Sequence, residues 1–513
     1  MYDISASIDR RLFMIRVICA LIVCVIVNSS GLQRSIISVV VYLLTYWLYL
    51  VYFYFFYKML NIKITGFQLQ ILISLCLYLG QMLIGFTISW SGPIIPKLQD
   101  LEQSPLSHKL TDTQASLIAS LLYIGCIPGP YLVGWLSNTK GRKPCFLLGG
   151  LISIIGYILL VTTHTLTILY VGRLMTGLGN GCIFLMNLVY MGEMSSTNIR
   201  GILLAILGIS ITLGSTLLFT VTSFFSYRAT NYVGVALTTI FTLCVLMIPE
   251  SPMFYVLKGN DNVVKKILAD LDRLDDLEKI IASKEDSRTI SNRKDWKDLF
   301  TIKSNRKALF RVMSINILQH CSGVMAVIFF SSTIFELAGS KIDGNIGMLI
   351  ISGFQLLGST VAPVFIEKIG RKIVLMVSCV ICSAAMFVMG TYFYLLHLEN
   401  PVIKTMHWLP LVILIIFFIG YDSGLGIIPN VLIGEMFTPN VRSHGSTLAV
   451  TVTWLSGFLV TTAFGAIVND VGAFVPFWFF SLTSIIAFFF TVFFIPETKG
   501  KSLLQIQVDL DKQ

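Results

Sequence analysis

From Leu69 onward the chain alternates between apolar runs of membrane-crossing length and short polar breaks. A helix needs about 20 apolar residues to cross the hydrocarbon core of a bilayer. Twelve runs qualify. Six are Leu69–Trp90, Ala115–Leu136, Cys145–Val161, Ile168–Met191, Gly201–Phe224 and Val233–Ile248. The other six are Leu309–Phe335, Ile346–Ile366, Ile373–Leu396, Leu409–Ile433, Thr447–Val468 and Phe474–Ile495. One long polar stretch, Ser251–Lys307, separates the two sets. In it Ile267, Leu271 and Leu274 recur at helical intervals among Lys265, Lys266, Glu278, Lys279 and Arg288. That pattern predicts short amphipathic helices on a membrane surface. The expected architecture is an all-α membrane protein with six-helix units at 67–250 and 309–500. A helical linker over 251–308 joins them, and a tail over 501–513 follows.

Residues 1–66 hold two further apolar segments. Leu12–Val27 is interrupted by Arg16, whereas Ile36–Tyr57 is long enough to span. Arg10, Arg11, Lys58 and Lys63 lie on one side of this pair; Arg34 and the glycosylation sequon at Asn28 lie on the other. The charges predict two extra N-terminal helices forming a hairpin with both ends inside. No small-residue cleavage site follows the first segment, which argues against a signal peptide.

Composition narrows the class. Charged residues make up 12 % of the chain and mean hydropathy is +0.81. A soluble domain carries about twice that charge, so one soluble core is excluded. The net charge of +10 does not point to nucleic acid, because the basic residues sit in short loops between apolar runs. Lys140, Arg142 and Lys143 follow the second run, and Lys368, Arg371 and Lys372 follow the eighth. With alternating helices these loops and the linker share one side, which the positive-inside rule makes cytoplasmic. The ten Cys lie mostly inside apolar runs and read as small buried hydrophobes. No metal cluster, cofactor loop or nucleophile–base set stands in the sequence, so neither an ATP-driven pump nor a membrane enzyme is expected.

Three signals occur twice in one order. Gly141-Arg142-Lys143 returns as Gly370-Arg371-Lys372. Glu193 to Arg200 returns as Glu435 to Arg442, with six residues between Glu and Arg. Pro249-Glu250-Ser251 returns as Pro496-Glu497-Thr498. The repeat predicts two homologous halves. A Glu between two Arg at helix ends can accept hydrogen bonds from both. Arg142, Glu193 and Arg200, with Arg371, Glu435 and Arg442, are therefore the expected gating salt bridges, one set per half. Simple positive-inside anchoring would account for the Arg but not for the repeated Glu.

These residues, together with Gly172-Arg173, Tyr190, Gln319 to Gly323, Glu367 to Lys372 and Pro496 to Gly500, resemble the sugar porters of the major facilitator superfamily. The resemblance covers about 69 to 502 and adds Glu367 to the gate. Within that family the loop style and PESPMFYVLKG resemble the insect facilitated trehalose transporters. It implies twelve helices in two bundles and a central sugar site. The seventh-helix motif of glucose facilitators has two Gln and an Asn; here the series is Gln319, His320, Ser322 and Met325. The fifth-helix Gln position holds Gly208, the tenth-helix Trp position holds Asn430, and the eleventh-helix pair is Thr453-Trp454. A sugar site needs polar groups for hydroxyls and an aromatic face for C–H stacking. Gln319, His320, Ser322, Asn430, Thr453 and Trp454 are the expected substrate-binding residues. Asp422 is an intramembrane acid, and such residues face the bundle interior. Thr87 stands where proton-driven relatives carry Asp, and Leu69–Trp90 holds no acid.

The expected activity is facilitative transport of a sugar, trehalose or a hexose, by alternating access and without proton coupling. The expected partners are a small-molecule sugar and the lipid bilayer, not nucleic acid. The expected place is the plasma membrane, with both termini cytoplasmic. A proton-coupled symporter is one competing reading. A non-transporting sugar receptor is another, favoured by the lost amides and opposed by the short stretch after PETKG.

Overall fold

The computed structural model describes residues 66–196, 199–277, 292–339, 344–401, 403, 406–437 and 441–499. The expected N-terminal hairpin, Asn28 and the tail lie outside the described residues. Among the described residues twelve helices are long and apolar enough to cross a membrane. In the first half these are α1 (Phe67–Gln99), α2 (Asp112–Thr139), α3 (Arg142–Val161), α4 (Leu166–Met194), α5 (Arg200–Phe224) and α6 (Tyr227–Met247). In the second they are α7 (Lys303–Phe329), α8 (Gly344–Pro363), α9 (Arg371–His397), α10 (Leu409–Ile433), α11 (His444–Val468) and α12 (Phe474–Phe494). No strand occurs among the described residues.

Local chemistry sets several boundaries. Thr111 and Gln114 form a reciprocal capping box at the start of α2, and Thr165 and Ser226 cap α4 and α6. Gly141 and Gly370 precede α3 and α9 with φ of 108° and 111°, a backbone region that strains any residue with a Cβ. Helices α2, α7 and α10 are broken mid-way. In α2 the break precedes Pro128. In α7 it falls at Ser322-Gly323, and in α10 a π-turn spans Tyr421–Leu425 ahead of Pro429.

The two halves use the same pairings. α3 packs on α4, α1 on α5 and α6 on α3; α9 packs on α10, α7 on α11 and α12 on α9. Lipid is as apolar as Leu, so close packing must hold such helices together. At the α1–α5 contact, a Cβ on Gly85 would sit 1.9 Å from the Ile211 carbonyl oxygen, and one on Gly214 would sit 1.9 Å from that of Met82.

The halves meet through α2 with α11, α5 with α8, and α1 with α7. At the end away from the Gly-Arg-Lys loops this seam is tight. Ser332 donates to the Gly92 carbonyl at 3.3 Å, and a Cβ on Gly465 of α11 would sit 1.9 Å from the Ser116 hydroxyl oxygen of α2. Nearer the basic loops Thr451 of α11 donates to the Tyr131 hydroxyl of α2 at 3.0 Å, and Trp135 of α2 and Ile202 of α5 are more than 60 % exposed. No atom lies within 4 Å of where a Cβ on Gly208 would be.

The linker folds back on the first half. Helices Pro252–Lys258 and Asp261–Asp270 join through Val256, Val264 and Leu268. Gln70 of α1 donates to the Leu271 carbonyl at 2.9 Å and accepts from the Ser196 N–H at 2.9 Å.

Candidate functional site

The residues expected at the gate lie at helix ends. Arg142 opens α3 and Glu193 lies one residue before the end of α4. Their side chains form a two-pronged pair, Nε to Oε2 at 3.0 Å and Nη2 to Oε1 at 2.8 Å. The remaining Arg142 nitrogen donates to the Ser137 carbonyl at 3.1 Å, and the Ser251 hydroxyl donates to Glu193. Arg200 does not complete the expected triad. It donates to the Ser195 carbonyl at 3.1 Å. That carbonyl lies past the last turn of α4, where helix carbonyls have no in-helix partner, so it competes for the guanidinium. A different arginine approaches: Arg273 of the linker donates to the Glu193 carbonyl at 2.8 Å and pairs with Asp276 at 2.9 Å.

Two gate residues escape a reading of charge spacing. Glu250 accepts the backbone N–H groups of Arg142 and Lys143, at 2.8 and 3.1 Å. Glu497 accepts those of Arg371 and Lys372, both at 3.1 Å. Each carboxylate thus sits on a helix N-terminus, where unpaired N–H groups and the helix dipole favour an anion. Lys143 and Lys372 repeat the symmetry by donating to the carbonyls of Leu246 and Val492. The repeated Pro-Glu-Ser/Thr was the available signal. The side chains of Glu367, Glu435 and Arg442 lie outside the described residues.

The central residues gather around the breaks in α7 and α10. Gln319 donates to the Gly426 carbonyl at 3.1 Å, and Asn430, an exposed residue, donates to the same oxygen at 3.3 Å. His320 is buried, with Nδ1 3.3 Å from the Asn316 carbonyl. Asn316 Oδ1 accepts from Thr453 at 3.1 Å, which ties α11 to α7. Ser322 is fully buried, and its hydroxyl donates to the Gln319 carbonyl at 2.6 Å, closing the last turn before the break. Trp454 lies against Tyr123 of α2 and Phe184 of α4. Asn316, Tyr123 and Phe184 were not singled out by the sequence, because nothing in their neighbourhood marks them from core residues.

Asp422 occupies the π-turn of α10, buried beside Gly358 of α8. Thr87 bonds to the Tyr157 hydroxyl at 2.7 Å. Its backbone carbonyl accepts from Arg173 of α4 at 3.2 Å. Arg173 is fully buried. It also donates to the Ile118 carbonyl at 3.2 Å and the Ser91 hydroxyl at 2.9 Å, and its guanidinium lies 4.7 Å from the centre of the Trp90 ring. None of these acceptors is a carboxylate.

A gate of repeated helix-end carboxylates and a polar, aromatic centre between two like bundles describe a carrier, and comparison with known proteins supplies the family. The family described as "Sugar (and other) transporter" matches residues 73–510. The chain belongs to the sugar transporter family. Among its relatives, the facilitated trehalose transporter Tret1 of Polypedilum vanderplanki is 30 % identical over 85 % of this chain and 87 % of its own length. Tret1 of Aedes aegypti is also 30 % identical, over 85 % of this chain; the match spans 54 % of the Aedes protein. The fold of this sugar transporter is that of the major facilitator XylE from E. coli. In a partially occluded inward-open conformation XylE superposes with a TM-score of 0.70 at 18 % identity, covering 84 % of this chain and 99 % of that one. The proton:xylose symporter XylE bound to 6-bromo-6-deoxy-D-glucose gives 0.70 at 20 % identity, over 86 % and 99 %.

Proposed function

We propose that this family member is a facilitative carrier for a sugar, trehalose or a hexose, working by alternating access as a uniporter. Gln319, His320, Asn430 and Thr453 supply polar groups for sugar hydroxyls, and Trp454 supplies an aromatic face. The two like bundles meeting along one seam support alternating access. The basic loops at one end support a multi-pass protein in the plasma membrane with both termini in the cytoplasm.

The observation that carries uniport is the surroundings of Arg173. A charge inside a membrane must be paired, or held by dipoles and aromatic faces. Here two carbonyls, one hydroxyl and the Trp90 ring do this, and the neighbouring α1 position is Thr87. Thr87 cannot take up and release a proton near neutral pH, whereas a buried carboxylate there could.

The test is external pH in a weakly buffered suspension of expressing cells when trehalose or glucose is added. The expected result is sugar entry with no alkalinisation and no effect of a protonophore. Alkalinisation in step with entry, abolished by the protonophore, would establish symport instead. Binding without uptake across the sugar panel would favour a receptor.

A further inference from the structure

Tyr123 of α2 projects from the first half into a group of rings that belong to the second. Its ring stacks on Phe329 of α7 at 5.6 Å and 26°, and lies 5.7 Å from Trp454 of α11 at 38°. His320 meets it edge-on at 6.4 Å and 79°. A Cβ on Gly457 of α11 would come within 2.9 Å of its ring, so α11 offers it a fitted notch. The residue is fully buried, yet its hydroxyl has no hydrogen-bond partner. Trp454, 5 % exposed, likewise has an unpartnered indole N–H. Buried Tyr and Trp normally find partners for these groups. A Phe would fill the same notch without stranding a hydroxyl, so packing alone does not call for Tyr.

We propose that Tyr123 is a substrate-contacting residue that helps set specificity: its hydroxyl and the Trp454 indole N–H are the groups a sugar hydroxyl occupies. The inference rests on the sugar-carrier reading above and adds to it a contact from the first half. In the state described here the Tyr123 ring sits inside the second half's ring group. A sugar entering between the halves replaces that ring–ring contact with its own apolar face, and its hydroxyls satisfy the two stranded groups. Because Tyr123 and the rings come from opposite halves, the same contact separates when the seam opens. It therefore couples occupancy to the alternation.

The experiment uses the full chain in expressing cells at matched surface level, with trehalose, glucose and single-deoxy analogues of whichever is carried. Tyr123→Phe keeps the ring and so keeps the packing. The expected result is a KM raised by roughly tenfold, the loss of one hydrogen bond to a buried group. One deoxy analogue should lose the same factor in the wild type and nothing further in Tyr123→Phe, since the contact is already gone. Trp fluorescence quenching by the sugar, reported by Trp454, should show the same shift in apparent affinity. Two outcomes overturn the proposal: a wild-type KM in Tyr123→Phe, or an equal loss for every analogue. If the wild type neither binds nor carries any sugar, the carrier reading falls and this inference falls with it. A wild type that carries sugar beside an unaffected Tyr123→Phe removes the inference alone.

Discussion

Glu250 Oε1 accepts the backbone N–H of Arg142 at 2.8 Å, although the two residues are 108 positions apart. The contact puts the end of the sixth helix on the N-terminus of the third. Arg142 then turns its side chain to Glu193 of the fourth. Three helix ends and the linker are thereby tied by two carboxylates. Helix ends tied this way are fixed to one another, which the proposed alternating access would require of a half that moves as one body.

Glu193→Gln keeps the shape and removes the charge that Arg142 grips. The expected stability loss is about 1.5–3 kcal/mol, the range for a hydrogen bond to a charged group. Uptake per carrier at the surface should fall several-fold. Surface-normalised uptake and a thermal midpoint in detergent are the measurements, and wild-type values in both would show that the pair is ornamental.

Glu435→Gln carries the same question to the second half. Exchange should fall more than surface expression, because Arg371 and Arg442 lose the anion that the repeat assigns to them. Normal exchange at equal surface level would remove the gate assignment for that half.

Glu497 supplies a pH dependence. Burial pushes its carboxyl up, but the backbone N–H groups of Lys499, Lys372, Arg371 and Thr498 outweigh this and hold it below the ordinary 4.5. A lowered carboxyl adds stability that is fully present above the unfolded value and is lost as pH falls through the folded one. The purified carrier should therefore lose thermal stability below pH 4.5, and Glu497→Gln should flatten that acid limb. An acid limb unchanged by the substitution would assign the loss to other carboxylates.

Gly85→Ala and Gly134→Ala should differ in sign. At Gly85 the new methyl meets the Ile211 carbonyl, and at Gly134 nothing lies within 4 Å. The first should cost about 1–3 kcal/mol or more by overpacking, and the second should gain about 0.5–1 kcal/mol of helix propensity. Thermal midpoints of the two variants decide it; equal shifts would mean that the α1–α5 contact is looser than described.

Removing residues 1–58 should leave an inserted carrier, since the described twelve-helix arrangement begins at α1. Surface labelling and uptake of the shortened chain test this. Loss of insertion would make the extension part of the folded core.

The candidate site was legible only in part. Thr453 and Trp454, next to each other in sequence, go to different partners: Thr453 to Asn316 of α7, Trp454 to Tyr123 of α2. Gln319 and Asn430 converge on the single Gly426 carbonyl from 111 positions apart along the chain. Arg200 was expected on Glu193 because both lie at helix ends close in sequence. Spacing cannot register the free Ser195 carbonyl that takes its guanidinium, because that oxygen belongs to the backbone.

What the sequence determined by itself was the set of elements and their doubling. Apolar length defines a membrane helix without reference to its neighbours, because the bilayer is the solvent for each helix separately. Basic loops set an orientation for the same local reason, and three repeated motifs declare two halves. What only the tertiary structure decided was which side chains meet across the seam. Tyr123 lies in an apolar stretch of α2 like any core residue, and its meaning comes from rings nearly 200 to more than 300 positions away in the chain. Contacts of that kind depend on how two bundles pack and tilt. Hydropathy along one helix is set by that helix alone, so it holds no record of the pairing.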